Sequence, residues 1–345
     1  MLKKINSLDI LGNENLKNSF LTATLNDINQ KCYIFKGNFF ADSFNYFPIT
    51  ENDQTFDELF KKQPDNSLNH FYTDLFYENF NNKKEKFKIY NDSFLLGSNC
   101  GDNYYSNLFE FLPRIFFIKD TKLNLIVHRN LSNKFRKLIN SICSFRKIDI
   151  KFSYLDDNFY KFENSQIPQF LNLENSIKIL QFFIYQIIGN NNEDESRLKI
   201  YVRREDSYYR RPVNDSDIIQ NLKAKGYMIL NPQQYDIIDQ IKLFSKAEMI
   251  ISPNGSSLAN IIFCKKGTKV FEIAPKFNQS YEINLSNRYK NISNYMGLKH
   301  EIIEADSVAV EKHSPLAKKY ISKNILNESN YYKNIILKLD KLNNF

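Results

Sequence analysis

From Leu198 to Pro275 the chain alternates between apolar runs and amphipathic stretches with few interruptions. In order they read LKIYV, DSDIIQNLKAKG, YMIL, IIDQIKLFSKA, EMIIS, SSLANIIFC and TKVFEI. Short apolar runs with little polar alternation suit strands covered on both faces. The stretches between them suit helices crossing from one parallel strand to the next. Gly226 follows the first of these helices as a C-cap. The pattern predicts an α/β fold with a parallel, doubly wound sheet. Such a sheet places ligands beyond the carboxyl ends of its strands.

A second, looser alternation lies upstream. LNLIVH is a strand candidate, SNKFRKLINSICSF an amphipathic helix with Ser132 as its N-cap, and DIKFSYL another strand. Before them YYSNLFEFLPRIFFI puts Leu108, Phe111 and Leu112 on one helical face, with Pro113 near the end. The first hundred residues read as irregular α+β, with strand character in CYIFKGNFF and KFKIYNDSFLLG. A long apolar helix is expected from Leu171 to Ile188. The polar, Asn-rich GNNNEDES is the best linker in the chain. The expected organisation is a first lobe over 1–188, a linker over 189–196, a second lobe over 197–320 and a C-terminal helix over 321–345. Two doubly wound lobes would place a ligand cleft between them.

Composition narrows the function classes. Hydrophobic residues make up 42% of the chain, ample for a core. The net charge of +8 would favour nucleic acid, an anionic membrane surface or small anions. No long Lys/Arg block occurs, so a solvated basic surface is the preferred reading over nucleic-acid binding. The four cysteines, Cys32, Cys100, Cys143 and Cys264, have no metal-ligand spacing, which suggests a reducing compartment. The first residues lack the apolar core of a signal peptide, and no stretch is long enough to span a bilayer. A soluble, cytoplasmic protein that could sit at the inner face of the membrane is expected.

Three clusters fall at strand ends in the second lobe. Arg203, Arg204, Arg210, Arg211 and Asn214 follow LKIYV. Guanidinium groups there can clamp a diphosphate, or they can be a solvated basic loop paired with Glu205 and Asp206. Next, ISPNGSSLAN takes a strand through Gly255 into a helix start carrying Ser256 and Ser257. Backbone N–H groups there favour an anion, although Ser is also an ordinary N-cap. Last, Glu272 in KVFEIAP can accept from a ribose diol, or be a surface carboxylate at a strand end. The three occur in order on successive strands, and each suits a different part of a nucleoside diphosphate.

The stretch from Tyr201 to Pro275 resembles the C-terminal half of glycosyltransferase family 61, whose bacterial members are often capsular polysaccharide biosynthesis proteins. The resemblance is carried by Arg211-x-x-Asn214, Gln240 with Leu243-Phe244 and Ala247-Glu248, Pro253-x-Gly255, Leu258-Ala259-Asn260, Phe263-Cys264, Gly267 and Glu272. Upstream, NYYSNLFEFLPR is similar to the family's Asn-Tyr-x-His-(aromatic)-Leu-x-(Asp/Glu)-x-x-Pro-Arg helix. The resemblance implies a GT-B fold of two Rossmann-like lobes, with the acceptor in the first and the donor in the second. It implies inverting, metal-independent transfer of sugar from a nucleotide sugar to a hydroxyl of a glycan or lipid-linked glycan. No cofactor is implied beyond the donor, with a UDP-sugar as first candidate. Carried over, Arg204 and Arg211 hold the diphosphate with Arg210 beside them, Asn214 supports them, and Asn254, Gly255, Ser256 and Ser257 form the loop. Glu272 meets the ribose.

Two departures stand out. The family's usual His in the turn is Asn254 here, and its usual His in the upstream helix is Ser106. Asn cannot act as a base near neutral pH. Glu110 is then the base candidate at a matched position, with a solvent-facing helix residue as its plainer reading. A second function stays open: a relative that binds nucleotide sugar or glycan and has lost its base. His70, His128, His300 and His313 are the chain's histidines. His128 ends a predicted strand, where it could face a cleft or simply close the strand.

Overall fold

The computed structural model describes residues 3–5, 20–24, 31–43, 46, 48–52, 54–56, 59, 80, 87–189, 197–205, 207–343 and 345. Apart from Gly189, the linker expected over 189–196 lies outside the described residues, as do His70 and Asp206. The chain divides into two compact units, Met1–Ile187 and Ile188–Phe345. The fold is mixed α/β, with a large sheet in each unit.

The strands of the first unit are β1 (Lys3–Ile5), β2 (Phe20–Thr24), β3 (Lys31–Asp42), β4 (Ile49–Thr50), β5 (Gln54–Phe56), β6 (Lys88–Asn91), β7 (Ser93–Leu95), β8 (Lys122–His128), β9 (Asp149–Leu155) and β10 (Phe159–Pro168). The expected strand–helix–strand unit is present as β8, helix α1 (Asn133–Phe145) and β9, with β7, β8 and β9 parallel. Ser132 caps α1 as expected, its side chain accepting from the Phe135 N–H. The sheet is not a parallel Rossmann layer throughout. Its order is β2-β3-β10-β7-β8-β9, and β10 and β2 both run antiparallel to β3. The aromatic side chains of β3 explain the added strands. Phe35 and Phe39 pack with Phe162 of β10 and with Tyr90 and Tyr160 in one cluster, which buries a face that helices would otherwise cover.

The expected helix over Tyr104–Ile118 forms as three successive pieces. A single α turn over Tyr104–Ser106 passes into a π-helical stretch, Asn107–Phe111, and then a 3-10 stretch, Leu112–Phe117. Pro113 lacks the N–H that a continued α ladder needs. Arg114, fully buried, fixes the end of this segment. It donates to the Leu96 and Pro168 carbonyls, at 2.6 Å each, and lies 4.3 Å from the centre of the Phe170 ring. Helix α2 (Leu173–Ile188) closes the unit.

The second unit contains β11 (Leu198–Val202), helix α3 (Asp215–Ala224), β12 (Met228–Leu230), helix α4 (Ile237–Ser245), β13 (Ala247–Pro253), a 3-10 helix (Ser256–Phe263), β14 (Lys269–Pro275), helix α5 (Ser280–Met296), β15 (Lys299–Val308) and β16 (Asn334–Ile336). The order β12-β11-β13-β14-β15 is parallel throughout, as the apolar runs predict. Gly226 follows α3 with φ 80°, the left-handed conformation of a C-cap glycine. The helix start predicted after Gly255 is a 3-10 helix, its first turn closed by the Leu258 N–H on the Gly255 carbonyl at 3.0 Å.

The C-terminal helix expected over 321–345 does not form. A short helix, Lys323–Glu328, is followed by a 3-10 turn, by β16 and by a second 3-10 turn, Leu339–Leu342. β16 pairs antiparallel with β15. Ile335 and Leu337 are buried while Ile336 between them is 40% exposed. That period-two pattern suits an extended chain completing a sheet edge.

Candidate functional site

Arg203 and Arg204 are adjacent where β11 ends, so they project to opposite faces. Arg203 shares the face of Tyr201 and is neutralised there. Its guanidinium lies 2.9 Å from Glu205 and 2.9 Å from Asp215, the first residue of α3. Tyr201 donates to the same Asp215 carboxylate at 2.7 Å. Arg203 is thereby bound into structure. Arg204 turns the other way, against Gly255, and donates through Nε to the Tyr209 carbonyl at 3.0 Å. Among the described residues no carboxylate stands within ion-pair distance of Arg204. Burial, with the positive charge of Arg210, lowers its guanidinium to about 10. It therefore stays charged at neutral pH.

Gly255 is required here by close approach. Its φ of −179° is extended backbone that any residue adopts. A Cβ at this position would fall 2.1 Å from Arg204 Nη1. The absence of a side chain lets the guanidinium lie against the turn. The Ser256 and Ser257 N–H groups open the 3-10 helix and have no partner within it. Both serines are partly exposed. A partly buried cation and the opening N–H groups of a helix thus converge on one turn. Chemically, the arrangement suits an anion.

Arg210 is placed differently from the expectation. It is 4% exposed and holds a left-handed φ of 55°. Its Nε donates to the Asn254 carbonyl at 3.1 Å and its Nη1 to the Tyr331 carbonyl at 2.8 Å. The guanidinium stacks 3.7 Å from the centre of the Tyr331 ring, close enough for a cation–π attraction. It braces the turn from behind. Burial pushes the Tyr331 phenol up, but the charges of Arg210, Arg288 and Arg204 outweigh this and leave it below its ordinary value. Arg211 has an exposed side chain, while its backbone bonds to Asn334 and Ile335.

Two of the expected site residues have their side chains engaged elsewhere. Asn214 does not support the arginines through its side chain. Its amide donates to the Leu337 carbonyl at 2.8 Å and accepts from the Leu337 N–H at 3.2 Å, tying α3 to the C-terminal segment. Glu272 lies at the middle of β14, fully buried, and so presents no carboxylate to a ribose. It accepts a hydrogen bond from the Asn254 side-chain amide and lies 3.0 Å from His300 Nε2. The two atoms do not meet hydrogen-bond geometry with each other. His300 in turn meets Ser293 Oγ at 3.1 Å. Asn254 therefore connects a buried carboxylate to the brace formed by Arg210.

In the first unit, Glu110 is partly exposed on the π-helical stretch. Such stretches often mark functional sites. His128 ends β8, as predicted, and is fully buried. Its Nδ1 accepts from the Asn130 N–H at 3.2 Å, and its Nε2 faces Asp157 at 2.9 Å. With Nδ1 accepting, Nε2 carries the proton. Burial lowers its pKa, and both ring nitrogens are engaged, so it closes the strand as a structural group. All four cysteines are buried thiols.

The structure thus brings Arg204, Arg210, Asn254, Gly255, Ser256 and Ser257 together, with Glu272 beneath them. The sequence reading missed Tyr209, Tyr331 and His300. The alternation of β11 together with Asp215 at the start of α3 could have separated Arg203 from Arg204. Nothing local announced Tyr331, which lies 121 positions from Arg210.

Residues 104–271 match the family model described as Glycosyltransferase 61. No curated protein matches the chain. Among solved structures, the E. coli heptosyltransferase WaaC with ADP is similar at 8% identity and a TM-score of 0.29, the match covering 63% of this chain and 93% of that one.

Proposed function

We propose that the chain is a glycosyltransferase, from the match of residues 104–271 to the Glycosyltransferase 61 family model, and that its second unit holds the nucleoside diphosphate of a sugar donor. The observation that carries this reading is Arg204 against Gly255, beside the opening N–H groups of Ser256 and Ser257. In this reading the diphosphate oxygens lie between the guanidinium and those N–H groups. Arg211, exposed on the same loop, adds a second cation.

The proposed reaction is inverting transfer without a metal ion, in a GT-B arrangement. The acceptor hydroxyl oxygen attacks the anomeric carbon from the face opposite the diphosphate and loses its proton to Glu110. The bond from the anomeric carbon to the diphosphate oxygen breaks, and its electron pair leaves with the nucleoside diphosphate. Arg204 and the turn N–H groups stabilise the charge that develops there, a role metal ions fill in other transferases. The donor is a nucleotide sugar, with a UDP-sugar as first candidate. The acceptor is a hydroxyl of a surface polysaccharide, capsular or lipopolysaccharide, or of a lipid-linked glycan. The site of action is the cytoplasm, at the inner membrane face.

Purified protein incubated with UDP-, GDP-, ADP- and CMP-sugars tests this reading. Slow donor hydrolysis, or transfer to a glycan acceptor, is expected with one nucleotide. Replacing Glu110 by Gln should lower turnover by about 10²- to 10⁴-fold with nucleotide affinity unchanged. Absence of turnover with any donor, despite tight nucleotide binding, would instead make the protein a binding relative.

A further inference from the structure

Residues Ser329–Leu337 lie outside the matched family region, yet they reach back to the arginine loop at every second step. The Arg210 N–H donates to the Lys333 carbonyl at 2.8 Å, and its guanidinium bonds to the Tyr331 carbonyl and stacks on the Tyr331 ring. The Arg211 carbonyl accepts from the Ile335 N–H at 3.1 Å, and the Val213 N–H donates to the Ile335 carbonyl at 2.8 Å. Leu337 is held at both of its backbone groups by Asn214. The other end of the segment is anchored on Glu282, fully buried in α5. That carboxylate accepts from the Ser329 hydroxyl and from the Tyr331 N–H.

These contacts compensate two unfavourable features of the loop. A non-glycine residue at positive φ is strained and persists only where its surroundings fix it. Arg210 has that conformation, and the Lys333 carbonyl holds its N–H in place. A buried guanidinium without a carboxylate must find other acceptors. Arg210 finds the Asn254 and Tyr331 carbonyls and the Tyr331 ring face, with no described carboxylate in ion-pair reach. The Asn254 carbonyl belongs to the residue immediately before Gly255, against which Arg204 rests.

We propose that Ser329–Leu337 is a strap that holds the diphosphate grip in its binding geometry, with Tyr331 acting through Arg210 as a positioning residue for Arg204 and the Asn254–Ser257 turn. Tyr331 contacts no phosphate in this account. The proposal rests on the donor reading above and assigns the strap's task within it.

The test is a double-mutant cycle read by calorimetric binding of UDP and of inorganic pyrophosphate, which carries the diphosphate without a base. Tyr331→Ala should weaken both probes about tenfold, while Tyr331→Phe, which keeps the ring under Arg210, should restore affinity to within about twofold. In an Arg204→Ala background, Tyr331→Ala should cost about threefold or less, because only the part of its effect that passes through the turn remains. Loss of structure alone would weaken binding equally in both backgrounds. If Tyr331→Ala fails to fold, Tyr331→Leu removes the same ring face while keeping bulk. If Arg204→Ala leaves both probes unaffected, the donor reading fails and the strap's role falls with it. If Arg204→Ala weakens binding but loss of the Tyr331 ring does not, the strap proposal alone is overturned. Equal losses in Tyr331→Phe and Tyr331→Ala would also overturn it.

Discussion

Each unit buries an arginine by the same means. Arg114 in the first and Arg210 in the second each donate to two backbone carbonyls and lie over an aromatic ring, Phe170 and Tyr331. They differ in what stands beside them. Arg114 is fully buried, burial lowers it to about 9, and its bonds join Leu96 to Pro168 inside the core. Arg210 bonds instead to the turn before Gly255, and a second arginine, partly exposed, stands next to it. One arginine is a staple of the core. The other is the brace of a surface that presents a cation. Burial alone would have classed both as structural, and the neighbouring Arg204 distinguishes them.

The largest effect should come from breaking the first staple. Arg114→Ala leaves the Leu96 and Pro168 carbonyls buried without their donor and opens a cavity, a loss of about 3–5 kcal/mol in urea unfolding. An unchanged unfolding midpoint would show that Arg114 staples nothing. Arg204→Ala should behave in the opposite way. Unfolding stability changes little, while nucleoside diphosphate affinity falls by about 1.5–3 kcal/mol, the worth of a hydrogen bond to a charged group. Smaller still is Gly255→Ala. Only the flexible end of Arg204 meets the new methyl, and φ is not strained, so the fold is kept. The guanidinium must swing aside, and affinity should drop by about 1 kcal/mol. Affinity equal to that of the unaltered protein would show that the contact with Gly255 has no part in binding. The least effect is expected from Glu205→Ala, which removes one exposed partner of Arg203. It should cost under about 1 kcal/mol of stability, read by the same unfolding measurement.

Much of this contrast was legible before the structure. Parallel strands covered on both faces must be apolar along their whole length, so β11, β13 and β14 announced themselves, and the Pro253-Asn254-Gly255 turn marked where a ligand could approach. Nonlocal bonding was not legible. Asn214 sits in a recognisable motif, yet its amide is satisfied by Leu337, far along the chain. Glu272 reads as a strand-end carboxylate because β14 continues only three residues beyond it, but the sheet and Asn254 cover it. The C-terminal residues carry helix-compatible composition, and only the unpaired edge of β15 decides that they extend. The π-helical stretch under Glu110 likewise depends on packing that no local periodicity encodes.

Arg203 and Arg204 supply the most direct test of the central claim, since they are adjacent, identical and assigned opposite tasks. Calorimetric titration of UDP, GDP, ADP and CMP should find one nucleotide that binds, and that binding should survive Arg203→Ala within about threefold while Arg204→Ala weakens it about tenfold or more. Equal losses in the two variants, or no nucleotide bound by the unaltered protein, would contradict the account.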